Sequence, residues 1–302
     1  MARIENVISA EEVCKVFGRN VVLNNISLKV QKGSVFLIMG PNGSGKSTLL
    51  KIITGLIKRT RGKIKVFGMD PWKQRQTIFT QVGAMFEDHA PPDWASGRAY
   101  LEYKATLKNA EEPKKEALAA AKLFEVDTFW AQQVSTFSSG MKRKLALADA
   151  FINDPELVIL DDPTVALDKE ARLTLQKIVE DRARQNKTSI IASHIITEFE
   201  NHATHLAVLN VGQIIVAGKV EDIMGNMGIH QVTIKSEQPE AVANILLKKG
   251  CPIKVHDNLV TIERPEDLDR IIDMLEKLGV KAEIGETRMN LWEIYTKALT
   301  YR

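Results

Sequence analysis

At 302 residues the chain is expected to hold about two domains, and its 44% hydrophobic and 26% charged content is that of a globular protein with a sizeable core. A net charge of only +3, with no domain-wide basic stripe, argues against nucleic acid as a partner. Cys14 and Cys251 are too far apart in sequence to form a disulfide framework or a metal spacing, and no apolar run approaches the roughly 20 residues that a bilayer crossing takes.

The first residues, Met1 to Asn6, are acidic and polar where a signal peptide would be apolar. A soluble protein of a reducing cytosol is therefore expected. Val35–Met39 is a short continuous apolar run, as in a strand buried on both faces. A glycine-rich turn follows, and from Thr48 to Leu56 the apolar spacing is helical. Residues 97–153 read as almost wholly helical, with an Ala-, Lys- and Glu-rich stretch from Glu111 to Phe124. Leu157–Leu160, Ser189–Ala192 and Leu206–Leu209 are three more buried strands, separated by helical stretches. This alternation predicts an α/β domain with a mostly parallel sheet and a helical subdomain.

After residue 218 the pattern changes. Val232 and Ile234 alternate with polar neighbours, Val242, Ile245 and Leu246 take helical spacing, and Gly250 stands where a helix would stop. Val260 and Ile262 alternate, Leu268 to Leu278 form a helical stripe after Pro265, and Val280, Ala282 and Ile284 alternate again. The order β-α-β-β-α-β predicts a small α+β, ferredoxin-like domain over 219–302, with a last helix from about Asn290.

One motif carries chemistry by itself. Gly40, Pro41, Asn42, Gly43, Ser44, Gly45, Lys46, Ser47 and Thr48 fit the pattern G-x-x-x-x-G-K-[ST] between a strand and a helix. Backbone N–H groups of such a loop converge on a phosphate chain, and the helix turns its positive end toward the same anion. Lys46 is expected to neutralise β- and γ-phosphate charge, and the Ser47 hydroxyl to bind Mg²⁺. A nucleoside triphosphate with Mg²⁺ is thus the expected ligand, and the loop alone does not say which nucleotide.

From Phe17 to His194 the motifs resemble, in order, those of the ATP-binding cassette (ABC) ATPases. Phe17 stands where these proteins place an aromatic under the adenine. Val82 to Glu87 is similar to the segment ending in the family's Q-loop glutamine, here the glutamate Glu87, which can still reach Mg²⁺ or its water. Phe137-Ser138-Ser139-Gly140-Met141 resembles the LSGGQ signature, with Ser139 and Met141 departing from it; Ser138 is suited to cap the following helix, expected to start near Met141. Leu157–Asp161 is similar to Walker B, with Asp161 a Mg²⁺ ligand through water. Val165 to Asp168 looks like the D-loop, and His194 fits the switch histidine.

The resemblance implies a P-loop NTPase core over 1–218, with an antiparallel β edge and a helical subdomain at about 88–153. It implies an ATPase with Asp162, His194 and Lys46 as catalytic residues, and two cassettes (a homo- or heterodimer) closing over ATP. It also implies an integral membrane permease as partner, export as the direction, and a place at the cytoplasmic face of the cell membrane. The residue after Asp161 is usually a glutamate. Asp162 reaches about 1.5 Å less far, and a 1 Å misplacement costs about 10²-fold, so slow hydrolysis is expected. A slow regulatory cassette and a soluble non-transport ABC ATPase are the alternatives.

Overall fold

The computed structural model describes residues 6–88, 91–194, 198–226, 230–236, 238–248, 250–251, 253–256, 259–263, 282–288 and 291–300. They fall into two compact units, one that runs to Lys219 and takes in the described residues from Ala298 onward, and one of Val220–Lys297.

Two long strands open the first unit, β1 (Asn6–Phe17) and β2 (Asn20–Gln31), followed by β3 (Val35–Met39), α1 (Lys46–Ile53) and β4 (Arg61–Val66). A short α2 (Arg75–Phe79) and β5 (Val82–Met85) lead to α3 (Gly97–Leu107), α4 (Pro113–Leu123) and α5 (Ser139–Phe151). The chain then alternates through β6 (Leu157–Asp161), α6 (Lys169–Arg184), β7 (Thr188–Ser193), β8 (His205–Asn210) and β9 (Gln213–Lys219).

These strands make two sheets. The larger has the order β5-β6-β7-β3-β8-β9; its first five strands are parallel and β9 pairs antiparallel with β8. Every residue of β3, β6 and β7 is buried, as expected for strands covered on both faces. The smaller sheet, β2-β1-β4, is antiparallel. One face of it is apolar: Ile8, Val13, Ile26, Val30, Ile64 and Val66 join Phe36, Ile38, Leu49 and Ile159 in one core. Burying both sheets on α1 places the β3–α1 junction over that core.

Two sequence expectations shift. The helix after β3 begins at Lys46, two residues before Thr48, so Lys46 and Ser47 belong to its first turn. Residues 97–153 are less helical than expected: between Leu123 and Ser139 only two short 3-10 turns form. The Ala-rich stretch does form α4, with Pro113 at its start and Ala117, Ala120 and Ala121 on its buried face.

The second unit contains α7 (Val220–Asn226), β10 (His230–Ser236), α8 (Pro239–Lys248), β11 (Ile253–His256), β12 (Leu259–Glu263) and β13 (Ala282–Arg288). All its strand pairs are antiparallel, in the order β11-β12-β10-β13. Ile234, Val260 and Ile262 pack with Val242, Ala243 and Leu246 of α8. Gly250, with φ +76°, follows the end of α8, where a side chain would be strained. The expected helix from Pro265 through Leu278, and Val280 beyond it, lie outside the described residues. A closing helix runs from Leu291 to Thr300, and its residues up to Lys297 belong to this unit.

Candidate functional site

The turn between β3 and α1 is shaped by what its glycines allow. A Cβ on Gly40 would lie 2.2 Å from the Leu209 carbonyl oxygen and 2.6 Å from Ser44 Oγ, so only glycine lets the loop leave β3 there. Gly45 precedes α1 at φ +107°, a left-handed conformation, and a Cβ on it would meet Leu23 at 2.7 Å. The Gly212 amide donates to the Ser44 carbonyl (3.0 Å), which ties the loop to the β8–β9 turn. The start of α1 has no side-chain cap and no acidic residue in its first turn. Its N–H groups and dipole are thus free for an anion.

Lys46 is buried, and its ammonium donates to the carbonyls of Gly40 (2.9 Å) and Pro41 (3.2 Å). Burial lowers its pKa, against Asp162, Asp161 and Glu87, whose charges favour the cation. A phosphate chain would offer this buried charge a better partner than two neutral carbonyls.

Asp161, at the carboxyl end of β6, is 1% exposed, and no complete hydrogen bond reaches either carboxylate oxygen. Burial raises its pKa, while the nearby Ser47 hydroxyl and the Lys46 charge favour the ionised form. Buried polar groups are almost always paired. Two orphaned oxygens beside Ser47 and an open helix start fit a hydrated divalent cation that arrives with phosphate. Mg²⁺ suits this donor set, because it keeps several waters and takes one or two protein oxygens plus substrate phosphates. Among the described residues no group of three His, Cys, Asp or Glu side chains makes a protein-only metal cage.

Pairing of β6 with β7 sets Asp161 opposite Ala192 and brings two distant sequence segments together. The Asp162 amide donates to the Ala192 carbonyl (2.8 Å). Asp162 Oδ1 accepts the His194 backbone N–H (3.1 Å) and lies 2.7 Å from His194 Nδ1. Asp162 has φ +45°, left-handed for a residue with a side chain. Glu87 lies exposed just past the end of β5, the strand beside β6.

Phe17, at the end of β1, is 46% exposed, so its ring is not part of the core. The Lys15 ammonium stands 4.3 Å from its ring centroid. Ser138 caps α5 as expected, its hydroxyl accepting the Met141 N–H (3.2 Å). The helix starts at Ser139, two residues before Met141. Ser139, Gly140 and Met141 are therefore its first turn, and a Cβ on Gly140 would lie 3.1 Å from the Ala166 carbonyl oxygen.

Sequence reasoning passed over Arg143, whose guanidinium reaches the carbonyls after β6. It also passed over Glu198, which accepts from Thr164, pairs with Arg172 (3.3 Å) and takes a hydrogen bond from Gln176 on its carbonyl. A signal for Arg143 existed: with Leu147 and Ala150 it falls on the buried stripe of α5, where a cation needs a partner.

A family model described as "ABC transporter" matches residues 23–165. The lantibiotic transport ATP-binding protein SrtF of Streptococcus pyogenes is 32% identical over 210 residues, covering 70% of this chain and 90% of the relative. The daunorubicin resistance ATP-binding protein DrrA3 of Streptomyces coeruleorubidus is 25% identical over 300 residues, 96% of this chain and 95% of the relative. Among solved structures, the dimeric post-hydrolysis state of the ATP-binding cassette MJ0796 bound to ADP and Pi matches at TM-score 0.64 and 25% identity, over 70% of this chain and 98% of that one.

Proposed function

Since this chain belongs to the ABC transporter family as an ATP-binding subunit, an ATPase, we propose that it pairs with a second cassette over MgATP and drives a separate membrane permease in export. The observation that carries the nucleotide site is the orphaned Asp161 carboxylate beside Ser47, Lys46 and the uncapped start of α1. Lys46 leaves the Gly40 and Pro41 carbonyls for the β- and γ-phosphates. Backbone N–H groups from Gly43 to Thr48 cradle the phosphate chain, with Pro41, Asn42 and Ser44 shaping the loop. Ser47, Asp161 and Glu87 would hold Mg²⁺, which would supply charge neutralisation of the phosphates. Phe17 stacks on the base.

Asp162 orients the attacking water and His194 stands at the γ-phosphate. Such a site works mainly by positioning and charge stabilisation. Ser138, Ser139, Gly140 and Met141 meet the nucleotide of the opposing cassette, where the capped helix end presents its positive dipole. The dimer of MJ0796 supports this pairing; a homodimer and a heterodimer serve it equally.

No described helix is long and apolar enough to cross a membrane. A cavity of about 480 Å³ lined by Leu56, Ile78, Phe79, Phe86 and Leu107, next to Glu87, is suited to an amphipathic cytoplasmic helix of the permease. That partner places the subunit at the inner face of the membrane. Export is supported by relatives such as the Nod factor export ATP-binding protein I of Rhizobium etli.

Calorimetric titration with MgATP tests the reading. Wild type should bind with a micromolar constant, and Lys46→Ala should weaken binding and abolish hydrolysis. Unchanged binding and turnover in Lys46→Ala would overturn it.

A further inference from the structure

Arg143 is a cation on the buried side of α5, only 9% exposed. Its guanidinium spans three successive carbonyls at the end of β6. Nη2 donates to the Asp162 carbonyl and approaches that of Asp161 at 3.5 Å, while Nε donates to Pro163 at 3.3 Å. Burial works against its charge, and the carboxylates of Asp162, Glu87 and Asp161 sustain it.

The turn it grips is strained. A left-handed backbone costs a residue with a side chain on the order of 1–2 kcal/mol and persists only where the surroundings over-determine it. At Asp162 they do so from two sides. Ala192 of β7 and His194 just after it hold its amide and carboxylate, and Arg143 holds its carbonyl from α5. The same helix is fastened further along the segment. Lys144 pairs with Asp168 at 2.9 Å, and the Gly140 backbone approaches the Ala166 carbonyl so closely that a Cβ there would lie 3.1 Å from it. The helix that begins with the capped Ser138 turn and the segment from Asp161 to Asp168 are thus joined by two bonded contacts, Arg143 and Lys144, and one close backbone approach.

We propose that Arg143 is a positioning residue for hydrolysis. It keeps Asp162 in the left-handed turn, so that the placement of the Ser138–Met141 helix start is felt at the carboxylate that orients water. This rests on the proposed roles of Asp162 and of the helix start. It explains why the residue is an arginine: a planar fork with several donors can bridge adjacent carbonyls, and a lysine point charge serves one or two.

The test uses the full chain with Arg143→Gln, Arg143→Lys and, in parallel, Asp162→Asn. Binding of MgATP, single-turnover hydrolysis at saturating MgATP, and thermal melting are measured for each. Arg143→Gln should hydrolyse about 10–100-fold more slowly, with affinity within about twofold of wild type and a melting temperature lowered by the lost buried bonds but still well above the assay temperature. Arg143→Lys should fall between. Wild-type hydrolysis in Arg143→Gln overturns the proposal, as does a loss of affinity and melting temperature in step with rate in both variants, which marks a mere structural brace. Asp162→Asn separates the two levels. If it hydrolyses normally, the reading of Asp162 is what fails; if it is inactive while Arg143→Gln is normal, only the inference about Arg143 fails.

Discussion

Asp162 and His194 are joined twice: Oδ1 of the aspartate accepts the histidine backbone N–H at 3.1 Å and lies 2.7 Å from Nδ1 of its ring. The carboxylate is thereby turned toward the end of β7 and held there. A glutamate in its place would keep one oxygen near His194 and extend a methylene further toward the nucleotide.

That geometry leads to the first prediction. Asp162→Glu should raise the single-turnover rate of ATP hydrolysis by about tenfold or more, given how steeply rate depends on placement. Rapid-quench measurement at saturating MgATP checks it. An equal or lower rate would mean that reach does not limit this site.

Phe17 leads to the second. It is half-exposed, with Lys15 against its ring. A stacked base contributes about 1–3 kcal/mol, or roughly 5- to 150-fold in affinity. Phe17→Ala should weaken ATP binding within that range and Phe17→Trp should preserve it. Neither should alter binding of inorganic tripolyphosphate, which has no base to stack. Competition titrations distinguish the cases, and equal losses for ATP and tripolyphosphate would remove Phe17 from the base site.

The third concerns the helical subdomain. Lys108 is 3% exposed, and its ammonium donates to the Asp149 (3.3 Å) and Ile152 (3.4 Å) carbonyls at the end of α5. Burial, opposed by Asp149 and assisted by Lys104, pushes it down to about 8 from 10.5. Between these values the unfolded chain binds the proton and the folded chain does not, so stability rises with pH. The stability of wild type relative to Lys108→Met should therefore improve by up to about 3 kcal/mol between pH 8 and pH 10.5. Denaturant titrations at several pH values check the slope. A difference that stays flat across this window would place the Lys108 titration elsewhere.

Much of the candidate site's geometry was legible in the residues themselves. The loop from Gly40 to Thr48 needs glycines at Gly40 and Gly45, because the backbone there passes within 2.2 Å of where a Cβ would meet the Leu209 carbonyl and adopts φ +107°. Those are local demands, and local demands leave a sequence signature. The same holds for Ser138, whose cap on Met141 N–H spans three residues, and for the all-apolar runs of β3 and β6. The long strands β1 and β2, and the shorter β4 beside them, were harder to read. Their pairing carries four register shifts between β1 and β2 and a fifth between β1 and β4, which break the alternation a strand pattern relies on.

Sequence alone determined which groups are present: a glycine-rich loop between a strand and a helix, a buried carboxylate at a strand end, a capped helix start, and an aspartate where a glutamate is usual. Only the tertiary structure decided how these meet. Parallel pairing of β6 with β7 set Asp162 against His194 across 32 positions of chain, and packing of α5 against the end of β6 drew Arg143 onto three carbonyls 18 to 20 residues away. Contacts of that range depend on strand order and helix placement, which many side chains fix collectively, so no single residue announces them.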